Sequence, residues 1–300
     1  MVLVVIGLCM AASQRVQAMQ SLDFSLELSV QLSGLRAVVP ESSWNPANDL
    51  AGLPESGAVL DVRPDIYLNA ERWSLMLRPR FSSSWEKVQD SQGTSTGQSH
   101  DAVINEWRLR LYLPAEIDLS VGREHLLWGP ARLLMASNPF GSDTGRDNPF
   151  TEVSGQDLIR LSRTLGVWSL SAYALVGEGA DRHQRLPPLQ AVDPQPGFRP
   201  VYALKVDRMG FSWYGSLNFA RYEGRGWGLG GFWDWTATEA TRLYADGRVT
   251  EQRRGWRPER DQSWPVGWAM RAAGSGAGGM VVAGLAHTTT VGPTLTIEGM

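Results

Sequence analysis

Leu22-Asp-Phe-Ser-Leu-Glu-Leu-Ser-Val-Gln-Leu32 decides the fold. Every even position from Leu22 to Leu32 is apolar, and the odd positions are Asp23, Ser25, Glu27, Ser29 and Gln31. A period of two puts alternate side chains on opposite faces of an extended strand, whereas a helix would scatter them around its circumference. Eleven residues is also the length of a strand that crosses a bilayer at a tilt, and soluble strands average about five or six.

The pattern returns after a polar, Pro-containing stretch from Gly34 to Gly57. Leu60, Val62, Pro64, Ile66 and Leu68 alternate with Asp61, Arg63, Asp65, Tyr67 and Asn69. Beyond a tight connection near Ala70-Glu71-Arg72, Trp73 to Ser82 alternates again, with Arg78 and Arg80 on the polar parity. A polar loop is expected from Asp90 to Ser99. Trp107, Leu109, Leu111 and Leu113 then alternate with Glu106, Arg108 and Arg110, and Pro114-Ala115-Glu116 turns the chain into Ile117 to Val121, with Asp118 on the polar side.

Later segments repeat the theme less clearly. Leu158 to Arg163 and Val167 to Val176 flank a turn at Leu165-Gly166, and a Pro-rich loop is expected from Glu178 to Arg199. Val201 to Val206, Phe211 to Tyr222, Leu229 to Trp235 and Thr241 to Val249 follow as strands. Past Thr250 the alternation does not fix a register, although Val266 to Ala272, Met280 to Thr288 and Leu295 to Glu298 read as strands. The total is about 14 strands. Short turns alternate with long loops, as in outer-membrane barrels. The expected fold is therefore all-β, a transmembrane antiparallel up-and-down β-barrel over residues 19–300. A β-sandwich or a soluble barrel also alternates, but with the apolar side inward; strand length and arginine density favour the membrane barrel.

Composition agrees with this reading. Thirteen tryptophans suit interfaces that are half apolar and half wet. Of 28 basic residues only Lys87 and Lys205 are lysines; the rest are arginines, which form fork-like pairs with carboxylates. A net charge of -3 gives no reason to expect a nucleic-acid partner. The single cysteine, Cys9, excludes a disulfide framework. Residues 1–18, an apolar run from Met1 to Ala12 and then Val16-Gln17-Ala18, read as a partial signal peptide without its basic start. The ending Leu295-Thr-Ile-Glu-Gly-Met300 has no terminal aromatic residue, and a truncated barrel is expected.

No enzymatic motif emerges. His100, His125, His183 and His287 show no metal-ligand spacing, no Gly-x-Ser-x-Gly elbow occurs, and Gly224-Arg-Gly-Trp-Gly-Leu-Gly230 lacks the lysine and helix of a phosphate loop. No catalytic residue, cofactor or metal is expected. By parity, Asp61, Arg63, Asp65, Arg78, Arg80, Glu106, Arg108, Arg110, Asp118 and Glu124 line one polar face, where arginines and carboxylates balance. Such a face serves either a plugged lumen or a channel for small polar or anionic solutes.

The most distinctive stretch is Val121-Gly-Arg-Glu-His-Leu-Leu-Trp-Gly-Pro-Ala-Arg-Leu-Leu-Met-Ala-Ser-Asn-Pro-Phe140. It resembles the Gly-Arg, Trp-Gly-Pro, Ser-Asn-Pro segment of outer-membrane barrels of the capsule-assembly, alginate-export and related uncharacterised porin-like groups. The resemblance is specific over about 20 residues. It implies a segment that leaves the wall and folds into or over the lumen, with Arg123, Glu124, Trp128, Arg132 and Asn138 at a constriction; the alternative is that Arg123 and Glu124 pair with neighbouring wall residues while Trp128 packs the loop. It also implies a bacterial outer-membrane location and contact with outer-membrane lipid. Two functions follow as expectations: a channel for small solutes, or a surface barrel that binds a polysaccharide.

Overall fold

The computed structural model describes residues 8–18, 22–39, 42–43, 45–49, 51–141, 144, 153, 155–177, 198–224, 226–260, 268–289 and 292–300, with backbone alone for 8–18, 252–260 and 268–275. The Pro-rich stretch expected from Glu178 to Arg199 and the start of the expected leader lie largely outside the described residues. The protein is all-β. Its strands are antiparallel, and each is hydrogen-bonded to its neighbours in chain order. It divides into two compact units, residues 1–107 and 108–300.

The first unit holds β1 (Leu8–Ala18), β2 (Leu22–Arg36), β3 (Pro54–Ala70), β4 (Trp73–Asp90) and most of β5 (Gly93–Leu113). The backbone of residues 8–18 pairs with β2 along its whole length. The expected loop at 90–99 is mostly strand: β4 runs to Asp90, and β5 resumes at Gly93 after a two-residue turn. Polar residues mark solvent exposure there rather than loss of pairing. Asp90 Oδ1 accepts the Gln92 and Gly93 N–H groups at 2.8 and 3.1 Å, an Asx-type closure of the turn.

The second unit holds β6 (Ile117–Glu124), β7 (Gln156–Leu165), β8 (Trp168–Leu175), β9 (Val201–Met209), β10 (Trp213–Tyr222), β11 (Gly226–Thr236), β12 (Thr241–Arg260), β13 (Trp268–Thr288) and β14 (Thr294–Gly299). Two segments expected as separate strands, 266–272 and 280–288, belong from Trp268 onward to one strand, β13. The register of β12 against β13 slips between Thr250 and Arg253 and again between Arg254 and Trp256. Each slip resets which parity faces which side, so the alternation fades past Thr250.

Burial is inverted relative to a water-soluble sheet. Along β9, Tyr202, Leu204 and Val206 are 54, 61 and 38 % exposed, while Ala203, Lys205 and Asp207 are 3, 7 and 9 % exposed. On β10, Leu217 and Phe219 are exposed and Ser216, Asn218 and Ala220 buried. One face of these strands is thus apolar and open, and the other is polar and covered.

Candidate functional site

The polar face of the first unit is anchored on the carbonyls of two prolines whose rings share the apolar parity. The register of β3 against β4 sets Pro64 opposite Pro79, and neither can donate to the ladder. Arg80 Nη1 instead donates to the Pro64 and Pro79 carbonyls at 3.1 and 2.9 Å, and lies 2.8 Å from Asp65. Arg78 joins Glu106 at 2.9 Å, Asp65 at 3.3 Å and the Tyr67 hydroxyl at 2.9 Å. Arg63 pairs with Asp61 at 3.4 Å. Arg63, Arg78, Arg80 and Glu106 therefore form one ladder of partly buried ion pairs.

In the second unit Glu124 is 4 % exposed and gathers Ser120, Arg108 and Arg160 at 3.1, 3.3 and 3.8 Å. Asp118 shares the parity of Ser120 and Glu124, and Arg110 stacks its guanidinium 5.8 Å from the Tyr112 ring. Arg123 departs from the expected constriction. It follows the parity of Val121, on the apolar face, and makes a bidentate pair with Asp157 at 2.8 and 3.0 Å. Neighbouring residues of an extended strand point to opposite faces, so Arg123 and Glu124 cannot line the same side.

Beyond Glu124 the chain leaves the sheet and lies along the polar face of the strands from β8 to β14. Trp128, 4 % exposed, packs against Tyr173, Ala203 and Ala220, with its ring 5.1 Å from that of Tyr173 and 5.5 Å from that of Phe140. Lys205 sits 5.2 Å from the Trp128 ring and donates to Asp207 at 2.5 Å. Ala131 and Ala136 pack with Tyr244 and Val282.

Hydrogen bonds fix the same segment to strand side chains. Glu298 accepts the backbone N–H groups of Arg132 and Leu133 at 2.6 and 2.7 Å and the Tyr244 hydroxyl at 2.5 Å. Asp246, 1 % exposed, accepts the Ser137 N–H at 2.7 Å. Asn218 donates to the Ser137 carbonyl at 3.1 Å, and Arg248 to that of Asn138 at 2.8 Å. Asn138 in turn donates to the Leu126 carbonyl at 2.8 Å, which closes the segment on itself. Arg132 takes part through its backbone.

Glycines make room for this seat. Gly129 has a φ of +81°, and a Cβ there would stand 2.4 Å from Asp246 Oδ2. A Cβ on Gly230 would stand 2.8 Å from the Ser137 carbonyl oxygen.

Lys205, Asp207, Asp246 and Glu298 were not among the residues singled out from sequence. The partners of Asp246 and Glu298 lie far along the chain, 109 residues away for Ser137 and 166 for Arg132. Two hints existed: Lys205 is one of two lysines, and Lys205-Val-Asp207 puts a charge on each alternate position.

No protein family matches the chain, and no curated protein does. Among solved structures it is similar to the FrpB iron transporter from Neisseria meningitidis. The F3-3 variant has a TM-score of 0.46 at 6 % identity over 98 % of this chain and 50 % of that one. The apoprotein form of the F5-1 variant gives 0.45 at 8 % identity with the same coverage. The chain thus spans about half the length of these structures.

Proposed function

We propose that this chain is part of a bacterial outer-membrane β-barrel that passes small polar or anionic solutes, with residues 126–140 as its constriction. The inverted burial carries the reading. Soluble monomers rarely expose contiguous apolar patches beyond a few hundred Å², and each Å² of apolar surface left in water costs about 25 cal/mol. A lipid-facing sheet removes that cost, and its polar face becomes a lumen wall.

Aromatic placement supports the same reading. Trp168, Trp213 and Trp235 lie near the short-turn ends of their strands, and Arg208 stacks 5.0 and 5.3 Å from Trp168 and Trp213. Tyr202, Arg221 and Trp227 form a lateral row at the opposite end. On β10, Trp213 and Arg221 are eight residues apart. At about 3.4 Å per residue that is roughly 27 Å along a tilted strand, of the order of an outer-membrane apolar band.

Arginines on the polar face pair with carboxylates, so weak ion selectivity is expected. A glycan-binding role would need an accessible aromatic platform, and Trp128 is enclosed. Single-channel recording in planar bilayers tests the proposal. Small, discrete conductances are expected, rising several-fold when Trp128→Ala loosens the segment. Absence of conductance both in the native chain and after deletion of residues 126–139 would remove the channel reading.

A further inference from the structure

On the apolar face of the second unit, β8 presents only Ala172 and Ala174 where its neighbours present bulk. The register puts Ala172 between Leu161 and Leu204, and Ala174 between Ile159 and Tyr202. Small residues flanked by large ones leave a groove along β8 of about 460 Å³, continued on β10 by Phe219. That volume falls within the range of ligand clefts, roughly 300–1,000 Å³.

The groove is apolar along its length and cationic at one end. Arg221 borders it, exposed and without an ion-pair partner among the described residues. The row that holds Arg221 also holds Tyr202 and Trp227, two exposed aromatic residues of that edge. This edge is the end from which the connection between β6 and β7 and that between β8 and β9 depart, each far longer than the turns at 166–167 and 210–212. Long connections mark the external side of outer-membrane barrels. Arg221 therefore stands at headgroup level of the outer leaflet, and the groove descends from it into the acyl region.

Resting on the membrane-barrel reading above, we propose that this face holds one phosphorylated, acylated glycolipid of the outer leaflet, of the lipopolysaccharide class. One acyl chain fills the groove over Ala172 and Ala174. Its phosphate takes charge-assisted hydrogen bonds from Arg221, the arrangement for which a guanidinium fork is suited. Tyr202 and Trp227 flank the headgroup. The leaflet assignment favours a glycolipid over a phospholipid of the inner leaflet.

Native mass spectrometry of the full chain, reconstituted and then titrated with lipid A, dephosphorylated lipid A or phosphatidylethanolamine, tests this. Lipid A is expected to remain bound preferentially. Arg221→Ala should weaken it about tenfold, the scale of one lost hydrogen bond to a charged group. Ala174→Leu should weaken lipid A and its dephosphorylated form alike by filling the groove. Equal retention of all three lipids, or no effect of either variant in a chain that inserts into vesicles, would overturn the lipid site and leave the barrel standing. Failure of the native chain to insert into vesicles would overturn both.

Discussion

Gly129 shows how one residue holds the segment in place. Its φ of +81° is open to glycine, and the space a Cβ would take belongs to the Asp246 carboxylate that receives the Ser137 N–H. Gly129→Ala should therefore unseat residues 126–140 while the strands persist, at a cost of about 2 kcal/mol or more. Limited proteolysis would read this as new cleavage between Leu126 and Phe140; an unchanged pattern would show that the segment does not depend on this contact. Single residues were legible from sequence only where parity speaks. Arg78, Arg80, Glu106 and Glu124 could be assigned to the polar face because each lies on a regular strand. Asp246 and Glu298 could not be matched to the segment, because nothing local in Ala245-Asp246-Gly247 or Ile297-Glu298-Gly299 names a partner over a hundred residues away. Trp128 and Asn138 lie on a segment that is neither strand nor helix, so periodicity does not place them.

At the scale of the element, the β6–β7 pair makes a separate prediction. Arg123 and Asp157 face each other across the ladder on the apolar side. A pair on that side matters through neutralisation, because an unpartnered charge facing lipid costs more than a paired one. Arg123→Ala should destabilise more than the double variant Arg123→Ala/Asp157→Ala. Denaturant unfolding in lipid vesicles should give a coupling of about 1 kcal/mol; additivity of the two single variants would place the pair in water. Element boundaries followed the same logic of what alternation encodes. Strands β2 and β3 are plain in sequence from Leu22 to Leu32 and from Leu60 to Asn69, where no bulge interrupts their mutual register; the same register runs on to Arg36 and Ser56, within the stretch whose polar composition reads as a connection. Strand β12 was obscure because two slips break its parity. The β4–β5 tip reads as a loop in sequence because Ser, Thr and Gly there reflect exposure, and backbone pairing does not need apolar side chains.

For the whole molecule, the all-β, antiparallel, chain-ordered architecture was legible because the same period recurs from strand to strand. Alternation alone does not say which face meets solvent, since a sandwich and a membrane barrel share it. The structure supplies that sign: apolar residues lie open and charged residues covered. Residues 126–140 pack over the polar face of the second unit through Trp128, Asp246 and Glu298.

Strand β9 reports whether the apolar face meets lipid. Single cysteines from Tyr202→Cys to Asp207→Cys, placed in turn in a Cys9→Ser background and spin-labelled in bilayers, would be probed with oxygen and an aqueous nickel chelate. Positions 204 and 206 should be open to oxygen and closed to the chelate, with 203, 205 and 207 protected from oxygen. Access of the chelate to 204 and 206 would place this face in water.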